Sequence, residues 1–87
     1  MPASVLIVDD EKNILITLSR ALRVEGYDVD VAGSGKLGLE RARSRSYDAI
    51  LLDVQLPDID GLEVLRQIRV DREDVPVLVM SGHGTID

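Results

Sequence analysis

A doubly wound α/β fold on a parallel sheet is predicted for this chain, and three observations predict it. Strand-like and helical periods alternate along nearly the whole length, which indicates right-handed βαβ units with helices on both faces of the sheet. The strand-like segments differ in character, because most are continuous apolar runs while one alternates with acids. Two of the apolar runs also end on aspartates.

Ser4 to Val8 reads as a strand buried on both faces, closed by Asp9 and Asp10. Ile14, Leu18, Ala21 and Leu22 fall at helical spacing, so the first helix is expected from Lys12 to about Glu25, with Gly26 as its stop. Tyr27, Val29 and Val31 alternate with Asp28 and Asp30, which gives a strand with one wet face. "SGKLGLERARSR" reads as a second helix weakened by its glycines. Ala49 to Leu52 is the next apolar strand, ending on Asp53, and "QLPDIDG" is a Pro- and Gly-marked loop. Leu62, Leu65 and Ile68 define a third helix, and Val75 to Met80 a fourth strand.

Strands that are apolar on both faces belong inside a sheet, and an alternating strand belongs at its edge. The second strand is therefore placed outside the first, with the third and fourth continuing the other way. This order, 2-1-3-4, begins the flavodoxin-like pattern. The fourth strand looks central, yet nothing in the chain continues the sheet beyond it. An uncovered apolar edge invites pairing with a second copy, so a homo-oligomer through this strand is expected.

Bulk properties bound the function. With 87 residues, 45% of them hydrophobic, the chain suits one domain spanning residues 1–87. A net charge of −6 argues against a nucleic-acid surface, which needs clustered Lys and Arg. Arg41, Arg43 and Arg45 read as a solvated helix face. Cysteine is absent, which excludes disulfides and thiolate metal sites. No apolar run approaches the roughly 20 residues that span a bilayer, and the N-terminus lacks the basic start of a signal peptide. A cytoplasmic protein with no membrane partner is the expectation.

In a doubly wound sheet, ligands bind outside the carboxyl ends of the strands where strand order reverses. Here that point lies between the first and third strands, so Asp9, Asp10 and Asp53 are expected to converge on one crevice. Two like charges about 4 Å apart repel by roughly 4 kcal/mol at an effective dielectric near 20. The cluster therefore needs protons, cationic side chains or a metal ion. Oxygen-only ligands open to water suit Mg²⁺, and a carboxylate beside Mg²⁺ can attack phosphorus to form an aspartyl phosphate. The plainer role, capping of the first helix by Asp9 or Asp10, leaves Asp53 unexplained.

"VLIVDDEKN", "YDAILLDVQLPDIDGLEVLRQIR" and "VPVLVMSGHGTID" together resemble the receiver domain of bacterial two-component response regulators, with its CheY-like fold. The resemblance implies that Asp53 accepts a phosphoryl group from the phosphohistidine of a sensor histidine kinase. It implies Mg²⁺ bound by Asp10 directly, by Asp9 through water, by Asp53, and by the backbone carbonyl of Gln55. Ser81 takes the place of the switch hydroxyl, and the Gly82 N–H would bond the phosphoryl group. Pro57 and Gly61 match the loop before the third helix. The "SGHGTID" ending resembles receivers of enhancer-binding, sigma-54-dependent (NtrC-type) activators, which implies a transcriptional output. A complete receiver continues through a further helix, strand and helix that bring a phosphoryl-pairing Lys and an aromatic switch residue. These are absent from the 87 residues, so a receiver cut short is expected.

Other signals carry less. "GSGK" at Gly33–Lys36 lacks the residues of a phosphate-binding P-loop, since Asp30 and Leu37 stand where Gly and Ser or Thr are needed. His83 has no partner ligands, and Thr85 suits a helix cap. Asp58 and Asp60 are assigned to the turn before the third helix, and Tyr27 and Tyr47 to packing at strand starts. A phosphatase of the haloacid-dehalogenase type also mounts an aspartate on a strand end. It needs a second Asp two residues later, where this chain has Gln55. A third possibility is a piece that serves only to self-associate.

Overall fold

The computed structural model describes residues 2–80; Ser81, Gly82, His83 and Thr85 lie outside the described residues. The elements run β1 (Ser4–Val8), α1 (Lys12–Val24), β2 (Asp28–Ala32), α2 (Gly35–Ser44), β3 (Ala49–Asp53), α3 (Gly61–Asp71) and β4 (Val77–Met80). The four strands form one parallel sheet in the order β2-β1-β3-β4, as expected.

The apolar character of β1 from Val5 to Val8 follows from having a helical layer on each side. Leu6 and Val8 join Ile50, Leu52, Leu39, Ala42, Val64 and Ile68 in a core beneath α2 and α3. Val5 and Ile7 point the other way and pack with Val29 against Leu15, Leu18 and Leu22 of α1. Burial of each such side chain stabilises the fold by about 1.5–3 kcal/mol, so the centre of the sheet is the rigid part. At its flank, Leu78 and Val79 of β4 remain half-exposed.

Two helices depart from their expected character in instructive ways. The glycines that weaken α2 in sequence are packing devices, because an added Cβ at Gly38 would lie 2.8 Å from both Val8 methyls. The missing side chain lets α2 sit close on β1, and Ser34 caps the helix by accepting from the Leu37 amide at 3.2 Å. In α1 only Ser19 is fully buried, since this helix lies on its face of the sheet with no second helix beside it among the described residues. The fourth strand begins at Val77, two residues later than expected. Pro76 has no N–H to offer a ladder; its carbonyl accepts from Ile50 N at 2.9 Å, while Val75 is buried with the α2–α3 core.

The arginines at the end of α2 are not simply solvated. Arg43 pairs with Asp71 of α3 at 2.8 Å. Arg45 bridges Asp28 at 2.6 Å and Asp30 at 2.8 Å on the edge strand β2 and lies over the Tyr47 ring, 5.5 Å from its centroid. The Tyr47 hydroxyl donates to Asp30 at 2.6 Å, whereas Tyr27, also expected to pack, is 41% exposed. Burial, then the Asp30 carboxylate, pushes the Tyr47 phenol up to about 12. A phenol raised in this way stabilises the fold below its ordinary value, and that contribution is lost as pH rises through about 12. Tyr27→Phe leaves Tyr47 as the one tyrosine, so ultraviolet titration should show a midpoint near 12. A midpoint at the ordinary phenol value of about 10 would mean that the bond to Asp30 does not form.

Candidate metal and phosphoryl site

The parallel register sets β1 against β3 with Val8 opposite Leu52, so the next residues, Asp9 and Asp53, stand side by side at the carboxyl end of the sheet. The Asp9 amide still donates to Ala32 O at 3.1 Å, which prolongs the β1–β2 ladder by one residue. Its Oδ1 accepts from the Glu11 amide at 2.9 Å, closing a tight turn into α1. The capping role considered from the sequence is not filled: Glu11 stands at the N-cap of α1 with no side-chain cap bond, and Asp9 serves only the turn before it. On β3, Asp53 Oδ1 accepts from the Gln55 amide at 3.0 Å. The Val54 amide bonds Met80 O at 3.1 Å, so the ends of β3 and β4 are tied together.

The carboxylates of Asp9, Asp10 and Asp53 each offer an oxygen, and these oxygens lie within 4.8 Å of one another. Asp9 and Asp53 are 1% and 0% exposed, while Asp10 faces solvent. Burial holds the Asp9 carboxyl above the usual carboxylate range. The Glu11 amide opposes that shift, and the nearby charges of Asp53, Asp10 and Glu11 add to it. The cluster is electrostatically strained in its fully ionised form. Its donors are hard oxygens with one side open to water, the set that fits Mg²⁺ or Ca²⁺ and not a softer metal. Gln55, expected to contribute its carbonyl, follows two residues after Asp53 in an exposed stretch of the β3–α3 loop.

Asp60 caps α3 by accepting from Leu62 N at 3.0 Å, as expected of the turn before the third helix. Asp58 also bonds locally, to its own amide and that of Ile59, but its main partners lie beyond that turn. It reaches across to α2 and accepts from the Gly35 amide at 2.9 Å and the Lys36 amide at 3.0 Å. These amides belong to the N-terminal end of a helix, where orphan donors favour a carboxylate. Nothing local in the sequence announces a bond between residues so far apart. A separate cleft of about 290 Å³ lies at the opposite end of the sheet, lined by Arg45, Tyr47, Asp48, Arg72 and Pro76 among others. None of the three clustered acids borders it.

Residues 5–87 match the response regulator receiver domain. The chain belongs to that family. Response regulator MprA of Mycolicibacterium vanbaalenii is 40% identical to this receiver over 86 residues, which is 99% of the chain and 37% of MprA. Response regulator ArlR of Staphylococcus saprophyticus is 45% identical over 83 residues, 95% of the chain and 38% of ArlR. The receiver thus spans well under half the length of these relatives.

Among solved structures, a CheY-like receiver domain protein from Methanospirillum hungatei superposes with a TM-score of 0.93 at 29% identity, covering 99% of this chain and 69% of that one. The receiver domain of sensor histidine kinase PA1611 from Pseudomonas aeruginosa, solved with magnesium coordinated in its active-site cleft, gives 0.89 at 29% identity, with coverage of 95% and 70%. Response regulator TrrA of Thermotoga maritima, solved in complex with the histidine kinase ThkA, gives 0.88 at 36% identity, with coverage of 98% and 72%. Among the described residues no helix is long and apolar enough to cross a membrane.

Proposed function

We propose that this receiver, one domain over residues 1–87, takes a phosphoryl group onto Asp53 from the phosphohistidine of a sensor histidine kinase, with Mg²⁺ as cofactor. The observation that carries the reading is the gathering of Asp9, Asp10 and Asp53 oxygens within 4.8 Å at the mouth of the sheet. Asp9 and Asp10 would hold the ion together with Asp53 and the Gln55 carbonyl. Bound there, Mg²⁺ supplies positive charge that offsets both the carboxylates and the oxygens of the incoming phosphoryl group. The magnesium in the PA1611 receiver and the kinase bound to TrrA support this reading.

The chemistry needs little from the chain beyond placement. The bond from Asp53 to the Gln55 amide orients the carboxylate. One Asp53 oxygen forms a bond to phosphorus as the phosphorus–nitrogen bond of the donor breaks, and the histidine leaves with the electron pair. The chain is the acceptor in this reaction and no stand-alone enzyme. Ser81 and Gly82 are assigned to the phosphoryl group by the family resemblance. A transcriptional output, sigma-54-dependent by the C-terminal motif, and a cytoplasmic location complete the proposal.

Acetyl phosphate with Mg²⁺ should label the chain once, on the peptide that holds Asp53, and chelation of the metal should remove the label. Modification at another residue, or equal labelling in EDTA, would overturn the reading. Light scattering on the same sample tests self-association through the half-exposed β4, which a clean monomer at high concentration would eliminate.

A further inference from the structure

The β3–α3 loop, residues 54–60, is pinned at three places. At its start the Gln55 amide bonds Asp53. At its base the Gly61 amide donates to Val54 O at 3.2 Å. Both anchors are local to the loop and its flanks. The third is not, because Asp58 at the loop's tip bonds the Gly35 and Lys36 amides of α2. Ile59 beside it lies so close over Gly35 that an added Cβ there would collide with its Cγ2. Polar and apolar contacts therefore hold the same segment to the same helix turn.

We propose that Asp58 is a positioning residue for the metal site. Its two bonds to α2 fix the loop that carries Gln55, so that losing them weakens cation binding although Asp58 itself touches no metal. The inference rests on the metal reading given above and adds a residue to it. The loop leaves Asp53 directly, and Gln55 lies three residues before the anchor. Without the tip anchor, the Gln55 carbonyl must be ordered at the moment of binding, and that ordering entropy is subtracted from affinity.

Calorimetric titration of the 87-residue chain with MgCl₂ tests this on the parent and three variants. Asp58→Ala should bind Mg²⁺ roughly tenfold more weakly, the lower end of what is lost when an outer partner of a metal ligand is removed. Asp58→Asn keeps a carbonyl oxygen for one of the two amides but loses the charge, and should recover part of that loss. Ser34→Ala removes the side-chain cap from the same helix end and should lower the melting temperature while leaving Mg²⁺ affinity unchanged. Three results would overturn the proposal: unchanged affinity in Asp58→Ala, equal weakening in Ser34→Ala, or an Asp58→Asn variant as weak as Asp58→Ala. The second would point to helix stability and the third to bare charge. A parent chain that takes up no Mg²⁺ would instead remove the metal reading itself, and the role of Asp58 with it.

Discussion

Asp9→Asn is expected to make the metal-free protein melt at a higher temperature while erasing its response to Mg²⁺. Asn keeps an oxygen that can accept from the Glu11 amide, so the turn into α1 survives. What disappears is a buried negative charge set among Asp53, Asp10 and Glu11. Ionised carboxylates at separations of 4–5 Å repel by roughly 3–4 kcal/mol per pair at an effective dielectric near 20. Solvent and salt around the exposed Asp10 reduce this, leaving an expected gain of about 1–3 kcal/mol.

The pH dependence has a definite sign. Because the folded state holds the Asp9 proton more tightly than the unfolded chain does, the stability this group contributes is present below the ordinary carboxylate value. It is lost as pH rises through the elevated one. The parent in EDTA should therefore lose stability across that interval on the way to neutral pH, and the Asn variant should lose less. Thermal melts with and without Mg²⁺ at several pH values read all three effects. A variant that melts below the parent in EDTA, or that still shifts with Mg²⁺, would contradict the placement of Asp9 in the cluster.

Gly61→Ala should be the most damaging of the small substitutions. A Cβ at Gly61 would collide with Val54 Cα and lie 2.7 Å from Val54 O and 2.8 Å from Asp53 O. All three are backbone atoms, which cannot rotate away. The first turn of α3 would have to withdraw from the end of β3. Overpacking of this kind costs about 1–3 kcal/mol and at times more, and each kcal/mol lowers the melting temperature of a domain this size by about 4–8 °C. Gly33→Ala is the matched control, since a Cβ there meets nothing within 4 Å; its effect should stay within about 0.5 kcal/mol. Denaturant midpoints compare the two directly. Equal midpoints would mean that α3 does not approach β3 as closely as described. Since the crowding falls on Val54 and on the backbone carbonyl of Asp53, Gly61→Ala should also weaken Mg²⁺ binding.

The layout of the sheet was readable from residues because its strands differ in how many faces they bury. The Val5–Val8 part of β1 and the Ala49–Leu52 part of β3 are apolar at every position, and β2 alternates. That difference sets β1 and β3 inside and β2 at an edge; it does not place β4, which is apolar throughout and still flanks the described sheet. The acid cluster was readable for a related reason: aspartates closing both-face-buried strands have only one place to go, the switch between β1 and β3. The β4 boundary was missed although Pro76 announces it, because the apolar run on either side masked a residue that cannot join a ladder.

What stayed hidden depends on which surfaces meet after the chain has folded. The glycines of α2 look like helix weakeners until β1 is seen beneath Gly38. Arg45 looks like a solvated charge until β2 brings Asp28 and Asp30 beside it. Asp58 looks like a turn residue until α2 presents its open amides. Each of these partnerships joins segments separated by a whole element, and local periodicity holds no information about them.

The neighbouring positions of Asp9 and Asp53 at the end of the sheet make the proposed chelate a product of the tertiary structure. In the unfolded chain these aspartates are far apart, and no short segment reproduces the three-oxygen pocket. A divalent ion that recognises only the assembled pocket rewards folding by mass action, with about 2.7 kcal/mol added at a free concentration a hundred times the dissociation constant. With Mg²⁺ bound as proposed, ionic conditions become a dial on the receiver's stability, and any lesion that loosens the β1–β3 seam should surface first as a poorer grip on the cation.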